Sequence, residues 1–247
     1  MTAPTHRRQR SALGSTGVTT RVGIVRFPGS CDERDAAYAV GLVGGEPQLL
    51  WHGDADLAGV DAVIVPGGFA YGDYLRAGAL ARFAPIMGAV AAFAGDGGPV
   101  LGICNGFQVL CEAGLLPGAL TRNVNLRFVH RWLPLRVETH TPWSAGVQPG
   151  SVLSLPVKHG EGCYVHPQPH RLVEAGQVWL CYAQPDGSLD AAVNPNGSTA
   201  AIAGVTNAAG NVTGLMPHPE HAVDPLLGGT DGPALLAPAA AATAPAG

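Results

Sequence analysis

The chain has 247 residues, 47% of them hydrophobic and 13% charged, with a formal net charge of −4. That apolar content suffices for a full core, and α/β chains of this length commonly fold as one domain. The mild acidity leaves no basic stripe for a phosphate backbone, which argues against a nucleic acid partner, and no apolar run approaches the ~20 residues that span a bilayer.

Residues 1–20 are polar and unpatterned. Arg7, Arg8 and Arg10 are followed by polar residues and glycine rather than an apolar stretch, so this extension does not read as a secretory signal. The five cysteines show no paired spacing and suit a reducing compartment, so a cytoplasmic location is expected. An apolar run from Val22 to Phe27 ends in Pro28-Gly29, and Asp32 to Val43 reads as a helix capped by Ser30 or Asp32. Pro47 to Trp51 and Ala62 to Val65 are short strand candidates, the second broken off by Pro66-Gly67-Gly68. Phe83 to Phe93 suits a helix, Val100 to Ile103 a buried strand, and Asn105 to Leu115 a second amphipathic helix. Strands alternating with helices predict a mostly parallel central sheet covered on both faces, with ligands beyond the carboxyl ends of its strands. The second half changes character. Phe128 to Thr139, Val152 to Val157, Val178 to Ala183, Ala201 to Thr206 and Val212 to Met216 are successive strand-like runs, which predict an antiparallel extension. The domain is expected over residues 21–232, followed by an alanine- and proline-rich tail over 233–247 with too little bulk to be held in a core, save that Ala234 to Leu236 could extend a terminal helix.

Gly102-Ile-Cys104-Asn-Gly106 has the spacing of a G-x-S-x-G nucleophile elbow with sulfur in place of oxygen. The glycines permit a sharp turn, the preceding strand pushes Cys104 out at its end, and the following helix offers N–H groups and a dipole that favour a thiolate. Cys31, Cys111, Cys163 and Cys181 lack such a context and read as small buried hydrophobes. A cysteine nucleophile needs a base, and His218 in Met216-Pro-His-Pro-Glu220 is the best placed of nine histidines. If the prolines hold this segment extended, Glu220 shares a face with His218 and orients it, while His221 faces away. The N–H of Asn105 supplies one oxyanion donor, and the strand-ending loop Gly67-Gly68 a second.

His218, Glu220 and His221 are capable metal ligands, and His159, His166 and His170 make a second group. No C-x-x-C or H-E-x-x-H spacing accompanies them, so no metal is expected. The single lysine, Lys158, follows no glycine-rich phosphate loop, and no G-x-G-x-x-G lies between a strand and a helix. ATP or dinucleotide chemistry therefore belongs elsewhere.

Gly102-Ile-Cys-Asn-Gly-Phe-Gln108 together with His218-Pro-Glu220 resembles the signature of class I glutamine amidotransferases. Further stretches resemble the glutaminase subunits of a purine-biosynthetic ligase: Arg26 to Asp35, Val65 to Gly78, Arg127 to Trp132, His159-Gly-Glu-Gly162, Met216 to Val223 and Gly228 to Gly232. The resemblance implies a flavodoxin-like α/β fold and a Cys104-His218-Glu220 triad that hydrolyses glutamine, with the oxyanion held by Asn105 and Gly68. It implies Gln108 as a glutamine-binding residue, and His159 and Glu161 at the subunit contact or the substrate mouth. It also implies no cofactor on this chain, with ATP and Mg on a large synthetase subunit that receives the ammonia, and a small accessory subunit beside it. Two readings stand next to this one: a glutaminase serving another ammonia-accepting synthetase, and a catalytically silent binding subunit of the same fold. The chain departs from the family at Ser30-Cys31, which lacks the usual intervening asparagine, and at Asn125-Leu126.

Overall fold

Val22, Ile24 and Val25 have no exposed surface, as a strand covered on both faces requires, and they form β1 (Arg21–Arg26) in the computed structural model, which describes residues 19–144 and 146–237. Helix α1 (Glu33–Leu42) follows, burying Ala36, Ala39 and Val40, and then come β2 (Glu46–Trp51) and β3 (Ala62–Val65). Helix α2 (Pro85–Gly95) leads to β4 (Val100–Ile103), and α3 (Asn105–Glu112) starts one residue later. The second half runs through β5 (Ala119–Thr121), β6 (Val129–Val137), β7 (Val152–His159), β8 (Cys163–Val165), α4 (Pro169–Glu174), β9 (Val178–Tyr182), β10 (Ile202–Thr206) and β11 (Val212–Leu215).

Nine strands form one sheet in the order β2-β1-β3-β4-β11-β10-β9-β6-β7. The first five are mutually parallel, and each later pairing is antiparallel. The chain moves one way from β1 to β2 and the other way from β3 to β4. Right-handed crossovers therefore put α1 and α2 on opposite faces, with the reversal of strand order between β1 and β3. Ligands in such sheets bind outside the carboxyl ends of the strands at that reversal, and a bridge between Ser30 and Gly68 ties the two strand ends together there.

The predicted parallel core and antiparallel extension are both present, but Val212 to Met216, expected in the extension, instead gives β11, which pairs parallel with β4 and joins the core, turning antiparallel only against β10. Sequence reading missed α4 and the separate β5-β8 pair, whose three-residue strands are too short to show a period. At the C-terminal boundary the structure differs from expectation. Leu235 and Leu236 are fully buried around a single 3-10 turn at Gly232–Leu235, so packing continues past residue 232 because two leucines interrupt the small residues. Apart from residues 19, 20 and 233–237, the expected extension and tail lie outside the described residues. No helix among the described residues is long and apolar enough to cross a membrane.

Candidate active site

Cys104 is the one residue between β4 and α3, with φ 50° and ψ −103°. A non-glycine residue there is strained, and it persists only where the surroundings over-determine it. The constraint is visible two residues on: a Cβ at Gly106 would lie 2.6 Å from the carbonyl carbon of Val65, so only glycine lets α3 begin this close to β3. The Cys104 N–H is fixed by the Leu215 carbonyl at 2.8 Å. This is the elbow the glycine spacing predicts.

Strand β11 runs parallel to β4 with Leu215 opposite Ile103, which delivers the segment after β11 to the same edge of the sheet. There the His218 N–H donates to the Pro156 carbonyl at 2.8 Å, and Pro219–His221 forms a 3-10 turn with proline at its first position, where its fixed φ is suited. The turn corrects the expected extended geometry. It brings Glu220 Oε1 to 2.6 Å from His218 Nδ1, and it also swings His221 back, so that its ring stacks on His218 with centroids 5.2 Å apart. His221 therefore does not face away.

His218 and Glu220 are almost wholly buried. With Nδ1–H donating to the Glu220 carboxylate, the basic nitrogen of the neutral ring is Nε2, which is buried and without a hydrogen-bond partner. His218 and Cys104 line one cavity of about 310 Å³, together with Gly68, Asp73, Gln108 and Glu161. Burial and the nearby carboxylates of Asp32 and Glu220 push the Cys104 thiol well up, while Lys158 and the Asn105 N–H act in the opposite sense. Desolvation and two carboxylates thus work against the thiolate that the helix N-terminus favours.

Sequence reading gives Asp32 only as a helix cap. It occupies the N-cap of α1, but its side chain makes no capping bond. Its carboxylate instead accepts from Lys158 Nζ at 2.6 Å and lies 3.6 Å from His218 Nδ1 and 3.5 Å from His221 Nε2. Burial alone would raise Asp32, yet His221, His218 and Lys158 hold it well below the usual carboxylate range. Burial likewise opposes the charge on His221, which Asp32 and Glu220 nonetheless raise. A Cβ at Gly67 would fall 2.9 Å from His218 Cε1 and still closer to Asp32, so glycine there lets the two side chains meet. The signal available in the sequence was Lys158 itself, a lone lysine ending an apolar strand. Asp32, His218, Glu220 and His221 converge as metal ligands would, but the ammonium of Lys158 already supplies a cation to the cluster.

Among the described residues the Gly68 N–H has no backbone acceptor, and Gly68 lines the cavity, whereas the Gly67 carbonyl accepts from the Cys31 and Asp32 N–H groups. The Asn105 side chain is structural: its Oδ1 accepts from Ala70 N, and its Nδ2 donates to Gln108 Oε1 at 2.9 Å and Asp73 Oδ1 at 3.2 Å. Gln108 reaches the cavity, with its Nε2 already donating to the Glu161 carbonyl at 2.6 Å. His159 is buried, and its Nε2 meets Asn196 Nδ2 at 3.0 Å. Burial pushes its pKa down to about 3. His166 and His170 do not join it in a ligand cluster among the described residues. Cys163 and Cys181 are buried as expected and Cys111 partly so, but Cys31 is exposed at the cavity rim because the β1–α1 loop carries it there.

Residues 19–228 match the model of the CobB/CobQ-like glutamine amidotransferase domain. The phosphoribosylformylglycinamidine synthase subunit PurQ of Frankia casuarinae is 59% identical over 86% of this chain and 89% of its own length. The PurQ subunit of Rubrobacter xylanophilus is 58% identical over 87% of this chain and 96% of its own. Among solved structures, that of PurLQS from Thermotoga maritima contains a chain similar with a TM-score of 0.80 at 40% identity, covering 90% of this chain and 98% of that one.

Proposed function

The chain belongs to the glutamine amidotransferase family, and from that membership we propose that it is the glutamine-hydrolysing subunit of phosphoribosylformylglycinamidine synthase. Its ammonia passes to a synthetase subunit, where it converts formylglycinamide ribonucleotide to formylglycinamidine ribonucleotide in purine biosynthesis. The observation that carries the reading is the strained Cys104 opening on the same cavity as His218, whose other nitrogen is held by Glu220.

As Cys104 Sγ attacks the side-chain amide carbon of glutamine, its proton passes to His218 Nε2. The carbonyl oxygen takes the negative charge facing the N–H groups of Asn105 and Gly68. The C–N bond then breaks, nitrogen takes the proton from His218 and leaves as ammonia, and a γ-glutamyl thioester remains. Water gives a proton to His218 and attacks the thioester carbon. The C–S bond breaks, the thiol regains its proton, and glutamate departs. Glu220 holds the imidazole in the needed tautomer and stabilises its charged form. ATP and Mg belong to the large synthetase partner, and a small accessory subunit completes the complex. The relatives' names as synthase subunits and the Thermotoga maritima assembly support this division of labour.

Replacing Cys104 tests the reading. In the assembled complex, Cys104→Ala is expected to reduce glutamate release to background while leaving ammonia-supported synthesis intact. Glutamine hydrolysis at the original rate in this variant excludes the assignment.

A further inference from the structure

The triad accounts for one end of glutamine. The other end carries an α-ammonium group, which none of the triad residues receives. Besides Asp32, which Lys158 neutralises, the cavity holds two carboxylates that the chemistry does not use, Asp73 and Glu161. Asp73 sits on the loop after β3 at φ 53°, in a run where Tyr71, Gly72 and Leu75 also have positive φ, conformations that persist only where the surroundings over-determine them. Its Oδ1 takes the Asn105 Nδ2 bond at 3.2 Å, one residue from the nucleophile. Glu161 lines the same cavity, its own carbonyl accepts from Gln108, and its charge acts on Asp73.

The charge balance of the cavity is uneven. Lys158 is committed to Asp32 at 2.6 Å, and His218 to Glu220. Arg122 approaches Glu161 only from solvent, at 3.4 Å with most of its side chain exposed. Asp73 has no cation beside it among the described residues. Burial first, and then the Glu161 charge, raise its pKa to about 6 against the Asn105 bond. The other titratable groups lining the cavity are Cys31, Asp32, Cys104, Lys158, His159 and His218. The unpartnered His218 Nε2 independently marks this cavity as one built for a ligand.

We propose that Asp73, with Glu161, binds the α-ammonium of the substrate and so selects an α-amino acid amide over amides lacking that charge. The proposal rests on the glutaminase reading. An ammonium between the two carboxylates replaces their mutual repulsion with two charge-assisted contacts. The linkage has a definite sign: Asp73 is protonated below about pH 6 in the free protein, so affinity for glutamine falls as pH drops through that value.

The test is steady-state kinetics of the assembled complex with glutamine and with glutaramate, its analogue without the α-amino group. Asp73→Asn is expected to raise KM for glutamine by about tenfold to a hundredfold with a much smaller change in kcat, as loss of a charged hydrogen bond predicts. It is also expected to abolish the rise in KM below pH 6 and to erase the preference for glutamine over glutaramate. Glu161→Gln moves in the same direction by less. An unchanged glutamine KM and preference in Asp73→Asn overturns the proposal. So does equal use of the two amides by the unaltered protein, an outcome that does not depend on the variant folding. Failure of the glutaminase reading is distinguishable, because the unaltered complex then hydrolyses neither amide by way of Cys104.

Discussion

The two halves of the sheet contribute to the site in different ways. In the parallel half, backbone register does the work: β4 and β11 lie side by side, so the residues that follow Ile103 and Leu215 reach one edge together, and these are the segments of Cys104 and His218. In the antiparallel half, β7 ends at His159 and contributes Lys158 to the Asp32 carboxylate, while the loop beyond it contributes Glu161. On the proposed mechanism one half places the reacting atoms, and the other sets the charge around them. Substitutions in the first should therefore cost rate, and those in the second stability or pH dependence.

The largest separation is expected at His218. His218→Asn removes the proposed proton carrier, and loss of a general acid–base group lowers kcat by about 10²- to 10⁴-fold. An isolated catalytic role predicts that the variant still supports synthesis from added ammonia and still binds glutamine. Loss of both activities together would move His218 to a role in assembly.

Asp32 tests the seam between the halves. Asp32→Asn leaves the Lys158 ammonium without its buried partner and removes the second carboxylate near His218 and His221. Breaking such a pair costs about 3 kcal/mol of stability, read as a lowered denaturant midpoint. The sign of its pH dependence follows from the lowered Asp32 pKa. The carboxylate's stabilising contribution is present above its unfolded pKa of about 3.9 and disappears as pH falls through the folded value, so the difference between wild type and variant should shrink in acid. A gap that persists undiminished in acid assigns the loss to packing instead of charge.

How much of this was legible in the sequence follows the same division. The strand ends at Ile103 and Val65, the elbow at Cys104 and the pairing of His218 with Glu220 all rest on local signals of glycine spacing, proline and apolar runs. The position of Asp32 was not local. Its partner Lys158 is 126 residues away, and a carboxylate after Ser30-Cys31 reads as a helix cap until the fold brings β7 over it. His221 was misplaced because alternation along an extended chain does not hold through a 3-10 turn. The upward push on the Cys104 thiol comes from burial and then from the fields of Asp32 and Glu220, which no motif encodes.

The smallest expected effect lies wholly in the second half. The Asn196 amide is oriented by the Ser198 N–H, which donates to its Oδ1 at 3.0 Å, so its Nδ2 must donate to the Gly162 carbonyl at 2.8 Å and to His159 Nε2 at 3.0 Å. That pins the loop carrying Glu161 and fixes the neutral His159 proton on Nδ1. Asn196→Ala leaves the His159 Nε2 buried without a donor and the Gly162 carbonyl with the Ser198 hydroxyl alone, at a cost of about 1–3 kcal/mol in thermal or denaturant unfolding. Because no reacting atom is touched, kcat with saturating glutamine should change far less than in His218→Asn, while KM rises as the Glu161 loop loosens. A collapse of kcat with KM unchanged would place part of the chemistry in the antiparallel half and undo the division between the two.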